Sequence, residues 1–198
     1  MEEVERVYIF NYGYNSPGQV ARLVGVPVAE ILSTAIPCTL RGYRRVFAGI
    51  ADDFGDKSVA TIVQDETSEI QSYAFSLNAD CMKYIDEFEE YPKMYDRIQV
   101  DLEKVSGETF QAYVYVMNDI THFGYPTEEY LQGVAQTISA FYYLQNLQFD
   151  YCNVSMDIIK ADNLEKMGTE TVKVSVEAYP AEVQDVISKL VDSSHSLS

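Results

Sequence analysis

The sequence is poor in the residues that build metal sites and histidine-based catalytic centres. Among 198 residues it holds two histidines, three cysteines and no tryptophan. Cys38, Cys81 and Cys152 are widely spaced, and neither a CxxC pair nor an HExxH motif occurs. We therefore expect no metal site and no catalytic triad containing histidine. Few cysteines, odd in number, favour a reduced cytoplasmic location.

Positive charge is also scarce. The chain carries 14 Lys and Arg residues against 31 Asp and Glu residues, for a formal net charge of −17. Nucleic acids and anionic membranes are bound through clustered Lys and Arg, so we expect neither as a partner. No apolar run of about 18 residues is present, and we expect no membrane span and no secretion signal.

Common catalytic signatures are missing as well: no Walker loop, GxGxxG or GxSxG motif occurs. These absences argue against the common nucleotide-binding and serine-hydrolase classes. What the chain does have is apolar and aromatic residues, at 47% and 13% of the sequence, including 16 tyrosines. This composition and length are typical of one folded domain with a substantial core.

The pattern of apolar residues and turn formers predicts mainly strands, with a few helices. Strands are predicted at 7–10, 39–50, 58–65, 70–77, 94–105, 109–118 and 171–177, and helices at 19–23, 78–91, 125–145 and 180–191. A turn at 52–57 would join the strands at 39–50 and 58–65, and a second turn at 65–69 would precede the strand at 70–77. Ser16 or Asn15 would cap the first helix, with Pro17 at its first position. Since strands and helices do not alternate regularly, we predict an α+β domain around a mixed or barrel-like sheet.

One carboxylate of the helix predicted at 78–91 differs from its neighbours in position. At about 100° per residue, Cys81, Tyr84, Ile85 and Phe88 share an apolar face, with Met82 at its edge. Glu89 falls between Ile85 and Met82, whereas Asp86, Glu87 and Glu90 lie on the outer side. An acid in apolar surroundings has a raised pKa and can exchange protons near neutrality. The alternative is a Glu89 at the rim, exposed or paired with Arg97 or Lys93.

The first predicted strand leaves through a turn rich in polar and aromatic residues, Tyr12, Gly13, Tyr14 and Asn15. Such a turn could hold a ligand with backbone N–H groups and side chains. The alternative is a tight, well-capped strand exit in which Gly13 supplies a positive φ. Sequence alone leaves both open.

Five segments in order resemble the gamma-glutamylcyclotransferase-like superfamily, which includes gamma-glutamylamine cyclotransferase and the AIG2-like proteins. They are "YIFNYGYNS", "LRGYRRVFAGI", "SVATIV", "YIDEFEEYPKMYDRIQV" and "AYVYVMND", spread over residues 7–118. The family pattern has a first strand ending in Y-G-S-N, a G-x-R-x-x-F strand, a helix ending L-D-x-x-E-G, and Y-x-R. The resemblance implies a small α+β fold with a mixed β-barrel and flanking helices beside an active cavity.

The resemblance also implies roles for individual residues. The family's catalytic glutamate falls on Glu89. The residues implied in substrate binding are Tyr12, Gly13, Tyr14 and Asn15 of the loop, Tyr95 and Arg97 of the Y-x-R motif, and the strand residue Tyr115. Three positions depart from the pattern: Tyr14 replaces the loop serine, Glu90 replaces the glycine after the catalytic glutamate, and Asn11 stands where a small or apolar residue is usual.

The function implied is release of 5-oxoproline from a small gamma-glutamyl amine or peptide, by attack of its own α-amine, with Glu89 as acid and base and without any cofactor. The alternative is an inactive member of the same fold that serves as a binding or assembly module. We expect a cyclotransferase-like domain at 1–145 and a C-terminal extension at 146–198, packed on it and disordered in its last residues. The sequence leaves the oligomeric state open.

Overall fold

In the part of the chain that the structure describes, five strands form a closed barrel, and three short helices flank it. The computed structural model describes residues 4–51, 57–118, 120, 126–127, 129–130, 133–134 and 137, and the strands at 152–156 and 170–174. The elements are β1 (Arg6–Asn11), α1 (Pro17–Val24), α2 (Val28–Thr34), β2 (Ile36–Ala51), β3 (Lys57–Asn78), α3 (Met82–Phe88), β4 (Tyr95–Lys104), β5 (Thr109–Met117), β6 (Cys152–Met156) and β7 (Glu170–Val174).

The strand order around the barrel is β1-β3-β2-β4-β5. Strand β1 runs antiparallel to β3, with Arg6 opposite Asn78. The barrel closes where β1 meets β5 in parallel, at Ile9 and Tyr113. The remaining neighbours are antiparallel. The predicted α+β fold with a mixed barrel is therefore confirmed. Strands β6 and β7 form a separate antiparallel pair.

Apolar side chains fill the barrel and also cover its outer wall. Inside it the buried side chains include Phe47, Leu102 and Val114. A second apolar cluster includes Val20 of α1 and Ile85 of α3, with Tyr73 and Phe75 of β3. Burial of each large apolar side chain contributes about 1.5–3 kcal/mol, so the second cluster holds the helices against the barrel. No helix in the described part of the chain is long and apolar enough to cross a membrane.

Strand β3 is one long strand, where the sequence predicted two strands separated by a turn at 65–69. Arg41 pairs with Glu69, and Tyr43 pairs with Gln64, so residues 65–68 bulge out opposite Gly42. Gly42 has φ 79°, a conformation that favours glycine. The residues at 65–68 do form an irregular segment. The segments of β3 on either side of it both pair with strand β2, so that they continue as one strand.

The helix predicted at 78–91 is shorter than expected. Asn78 accepts a 3.0 Å hydrogen bond from the Asp80 N–H and begins a 3-10 turn at Ala79–Cys81, which leads into α3. The helix ends at Phe88, and Glu89 is its C-cap. Glu90 follows with φ 50°, in the left-handed region that cannot continue a helix.

The apolar face predicted for α3 was partly wrong. Met82 and Ile85 are buried, but Tyr84 and Phe88 are 42% and 43% exposed. The side of the helix that carries Met82 and Ile85 packs against the barrel. Glu89 falls between these two residues on the helical repeat, so it projects from the same side. Asp86, expected on the outer side, is partly buried and paired.

The first helix lies where the sequence predicted it, and so do the paired strands β4 and β5, which were predicted at 94–105 and 109–118. Ser16 is the N-cap of α1: its Oγ accepts the Gln19 N–H at 3.2 Å, and Pro17 opens the helix. Thr127 Oγ1 accepts the Tyr130 N–H at 3.1 Å, which agrees with a helix starting there. Strand β7 agrees with the strand predicted at 171–177. Most of the helix predicted at 125–145, the turn at 52–57 and the helix at 180–191 lie outside the described residues.

Candidate active site

A cavity of about 560 Å³ lies between the loop after β1 and the C-terminal end of α3. The predicted site residues that line it are Tyr12, Gly13, Tyr14, Asn15, Glu89, Tyr95 and Tyr115. The loop, α3, β4 and β5 thus bring all the predicted residues together except Arg97. Apolar side chains such as Val20, Leu23 and Ile85 form another part of the wall.

Asn11, at the end of β1, shapes the loop, and the sequence analysis did not assign it to the site. Its Oδ1 accepts the Gly13 N–H at 3.1 Å. Its Nδ2 donates to the Asn15 carbonyl at 2.5 Å and to the Tyr73 hydroxyl at 2.8 Å. An asparagine two residues before a glycine is a recognised turn signal, so the sequence did hold a clue.

Arg45 of β2 fixes the loop from inside the barrel, and it too was missed. Its Nε donates to the Tyr12 carbonyl at 2.7 Å, and the side chain is buried. The Tyr12 hydroxyl in turn donates to the Tyr115 carbonyl at 2.6 Å. Arg45 lies two residues before the buried Phe47, and strand alternation would have placed both inside the barrel.

Tyr14 forms part of the cavity wall and leaves the cavity open. Its ring stacks on Tyr130, with centroids 5.1 Å apart and planes 14° apart. The ring also lies against Gly133, where an added Cβ would come within 1.9 Å of Tyr14 Cε2. Tyr130 is held in turn by the Ala60 N–H, which donates to its hydroxyl at 3.0 Å. A glycine therefore accommodates the large residue that replaces the loop serine.

Glu89 lines the cavity and contacts the loop directly. Its N–H donates to the Ile85 carbonyl at 2.9 Å, which places the residue at the end of α3. Its Oε1 accepts a 2.6 Å hydrogen bond from Asn15 Nδ2. Burial raises the pKa of Glu89 to about 7, and the Asn15 hydrogen bond opposes that rise. The carboxyl can therefore take up and release a proton near neutral pH.

Two tyrosines beside Glu89, the buried Tyr12 and the partly buried Tyr95, have hydroxyl groups with raised pKa values. Burial raises the pKa of the Tyr12 hydroxyl, and the nearby Tyr95 and Glu89 raise it further. For Tyr95 the same burial, together with Tyr130 and Glu89, acts in the same direction. The Tyr95 hydroxyl makes a long, 3.4 Å hydrogen bond to the Ala60 carbonyl. The Tyr12 hydroxyl already donates to the Tyr115 carbonyl, whereas the Tyr95 hydroxyl, whose hydrogen bond is long, can donate to a ligand beside the Glu89 carboxyl.

The structure does not bring Arg97 to the cavity lining. Its guanidinium is paired with Asp86 of α3 through Nη1, 2.6 Å from each carboxylate oxygen. Tyr115 also differs from expectation in detail, because its hydroxyl donates to Asp86 at 2.7 Å while the residue lines the cavity. The expected alternative, a pairing of Glu89 with Arg97 or Lys93, does not occur among the described ion pairs.

The described residues contain no group of three or more His, Cys, Asp or Glu side chains arranged to hold a metal ion. What they do assemble is one buried carboxyl, an amide donor and several phenols around one cavity. Such a site is suited to binding a small polar molecule and to moving a proton on it.

Comparison with known proteins agrees with the barrel fold. A family profile described as "Gamma-glutamyl cyclotransferase, AIG2-like" matches residues 9–137. A solved structure of a gamma-glutamyl cyclotransferase is similar, with a TM-score of 0.56 and 17% identity, over 93% of this chain and 99% of that chain. An uncharacterised human protein gives the same four values.

The Bacillus subtilis protein YkqA is also similar, with a TM-score of 0.55 and 18% identity, over 67% of this chain and 48% of its own. At such identities these structures show a shared fold. The sequence has no significant match among curated proteins.

Proposed function

The chain belongs to the gamma-glutamyl cyclotransferase, AIG2-like family, and on that premise we propose that it is an enzyme that releases 5-oxoproline from a gamma-glutamyl amine or peptide. The observation that carries the proposal is the Glu89 carboxyl, which faces the cavity with a pKa of about 7 and is oriented by Asn15. A proton-exchanging group at the end of the cavity is what an intramolecular aminolysis needs.

The reaction joins two ends of one substrate. The α-amine attacks the γ-carbonyl carbon, a new C–N bond closes a five-membered ring, and the C–N bond to the leaving amine breaks. Glu89 takes the proton that the attacking nitrogen loses and returns it to the nitrogen that leaves. The protons balance without any other reactant. Holding the substrate folded supplies much of the rate, because both reacting groups are then already in contact.

Substrate contacts are proposed from the groups around Glu89. The Gly13 N–H is already bonded to Asn11, so we do not assign it to the substrate. The Asn15 side chain and the Tyr95 hydroxyl lie beside Glu89, and we propose that they bind the gamma-glutamyl portion. The apolar wall near Leu23 would then contact the leaving group. We assign the reaction to residues 1–145, with 146–198 as an extension.

The alternative of an inactive binding module is less well supported. It would be favoured by a cavity filled by Tyr14. Tyr14 instead stacks on Tyr130 at the wall of the cavity, which it lines together with Glu89 and leaves open. A cavity of about 560 Å³ is within the range of small-molecule sites.

The test is a product assay on the full chain. A panel of gamma-glutamyl amino acids, gamma-glutamyl amines and glutathione is incubated with the protein, and 5-oxoproline, glutamate and free amine are quantified. Protein-free and heat-inactivated samples control for spontaneous cyclisation. We expect equal amounts of 5-oxoproline and amine from at least one compound, without glutamate. Glutamate in place of 5-oxoproline would mean hydrolysis and contradict the proposal. No product across the panel would favour the binding module.

A further inference from the structure

We propose that the ion pair between Asp86 and Arg97 positions Glu89 for proton transfer, so that Arg97 acts through the end of α3 and not on the substrate. The inference rests on the proposed function, because it concerns the proton transfer that we propose for Glu89. Its basis is the set of contacts that tie the last turn of α3 to the barrel.

The pair itself joins a helix to a strand. Asp86 lies in the last turn of α3, and Arg97 lies on β4. Both side chains are largely shielded, at 22% and 24% exposure. The Arg97 guanidinium carbon lies 5.0 Å from the Tyr91 ring centroid and 5.1 Å from that of Tyr113. The arginine is thus held by the turn after α3 and by β5 as well as by Asp86.

The same turn of backbone carries Glu89. The Ile85 carbonyl accepts the Glu89 N–H, and the Asp86 carbonyl accepts the Tyr91 N–H, both at 2.9 Å. Glu89 is the C-cap, so no further helical turn holds it from the C-terminal side. A side chain that anchors residue 86 to the barrel therefore fixes the backbone from which the Glu89 carboxyl projects.

A second connection runs from Asp86 to the loop. The Tyr115 hydroxyl donates to Asp86 at 2.7 Å, and the Tyr115 carbonyl accepts the Tyr12 hydroxyl at 2.6 Å. Asp86 is consequently linked through β5 to the loop that carries Asn15. The distance between Glu89 and Asn15 is thus set from both sides. A displacement of about 1 Å in a reacting group can cost about 100-fold in rate.

The experiment compares Arg97→Gln and Asp86→Asn with a matched control, Arg41→Gln. Arg41 also bridges carboxylates, those of Glu69 and Glu103, but it is exposed on the barrel surface. For each variant kcat and KM are measured on one substrate from the panel, together with the thermal midpoint. We expect kcat to fall about 10- to 100-fold in the Asp86 and Arg97 variants, with KM within about threefold, because the loss concerns geometry at the reacting atoms.

Two further variants separate positioning from a general loss of structure. Arg97→Lys keeps the charge opposite Asp86, and we expect it to recover part of the lost kcat. Tyr115→Phe removes only the hydroxyl that donates to Asp86, and we expect a smaller fall in kcat with the fold intact. If Arg97→Gln does not fold, these two variants still decide between the outcomes.

Three results would overturn the inference. Unchanged kcat in Arg97→Gln and Tyr115→Phe, as in Arg41→Gln, would remove the positioning role and leave the proposed function standing. A rise in KM alone would assign Arg97 to substrate binding, as the family resemblance implies. A wild-type protein that yields no 5-oxoproline from any compound would overturn the proposed function, and the inference with it.

Discussion

The side-chain amide of Asn15 donates a 2.6 Å hydrogen bond to Glu89 Oε1 and joins residues 74 positions apart in the chain. One partner belongs to the loop after β1 and the other to the end of α3. The bond favours the ionised carboxyl, whereas burial favours the neutral one, and burial is the larger effect. The proton affinity of Glu89 is therefore a balance between its surroundings and this single donor.

Removing that donor tests the balance. In Asn15→Ala the pKa of Glu89 should rise above its value of about 7, because burial then acts unopposed. If the ionised form starts the reaction, the acid limb of kcat/KM moves to higher pH, and the loss of activity is greater in mild acid than in mild base. The measurement is a pH–rate profile beside Gln99→Ala, which removes an exposed amide on β4. An unmoved acid limb would contradict the assignment of that limb to Glu89.

Replacing Glu89 should stabilise the fold in a pH-dependent way. The pKa of Glu89 is about 7 in the folded protein and has its ordinary value of 4.5 in the unfolded chain. Between pH 4.5 and 7 the unfolded chain has therefore released this proton, whereas the folded protein still holds it. The free energy of unfolding therefore falls as pH rises through this window. Glu89→Gln lacks the effect, and above neutral pH it should be more stable than the wild type by about 2–3 kcal/mol.

The measurement is urea unfolding of both proteins from mild acid to mild base. Glu87→Gln, at an exposed position on α3, controls for the loss of one charge. A difference between Glu89→Gln and the wild type that stays constant across this range would show that Glu89 is ordinarily solvated.

Tyr14 and Gly133 should be strongly coupled. In Gly133→Ala the new methyl group would overlap the Tyr14 ring, and we expect a loss of about 1–3 kcal/mol. In the Tyr14→Ser background the ring is gone, and the same change should be neutral or gain up to about 1 kcal/mol from helix propensity. Urea unfolding of the two single variants and the double variant measures the coupling. Additive effects would mean that the ring does not lie on Gly133.

Replacing Asn11 should cost more stability than replacing Tyr73, which is one of its hydrogen-bond partners. Asn11→Ala leaves the partly buried Gly13 N–H without its acceptor and removes the donor to the Tyr73 hydroxyl. We expect a loss of about 2–3 kcal/mol with a raised KM, because the loop loses its shape. Tyr73→Phe removes one of these bonds and should cost about 1 kcal/mol with little change in KM. An unchanged KM in Asn11→Ala would show that the shape of the loop does not depend on Asn11.

The features that could be predicted from the sequence depend on short-range geometry. Ser16 and Pro17 define the start of α1 through contacts within one helical turn. The position of Glu89 relative to Ile85 and Met82 follows from the helical repeat. The repeat holds even though α3 ends at Phe88, one residue before Glu89.

What could not be predicted depends on partners far away in the chain. Nothing near Arg97 indicates that Asp86 is its partner, because a helix must first pack beside β4. The exposure of Phe88 likewise follows from how α3 turns toward the barrel. The turn at 65–69 was predicted from the sequence, but its effect on strand pairing depends on Gly42 in β2.

The most direct test of the account is 5-oxoproline release by Glu89→Gln, measured beside Glu87→Gln and the wild type on the best compound of the panel. The glutamine keeps the shape of the side chain and its acceptor for Asn15, but it cannot carry the proton. The account predicts a loss of kcat of about 100- to 10,000-fold in Glu89→Gln and wild-type activity in Glu87→Gln. Activity in a folded Glu89→Gln protein within a few fold of the wild type would contradict it.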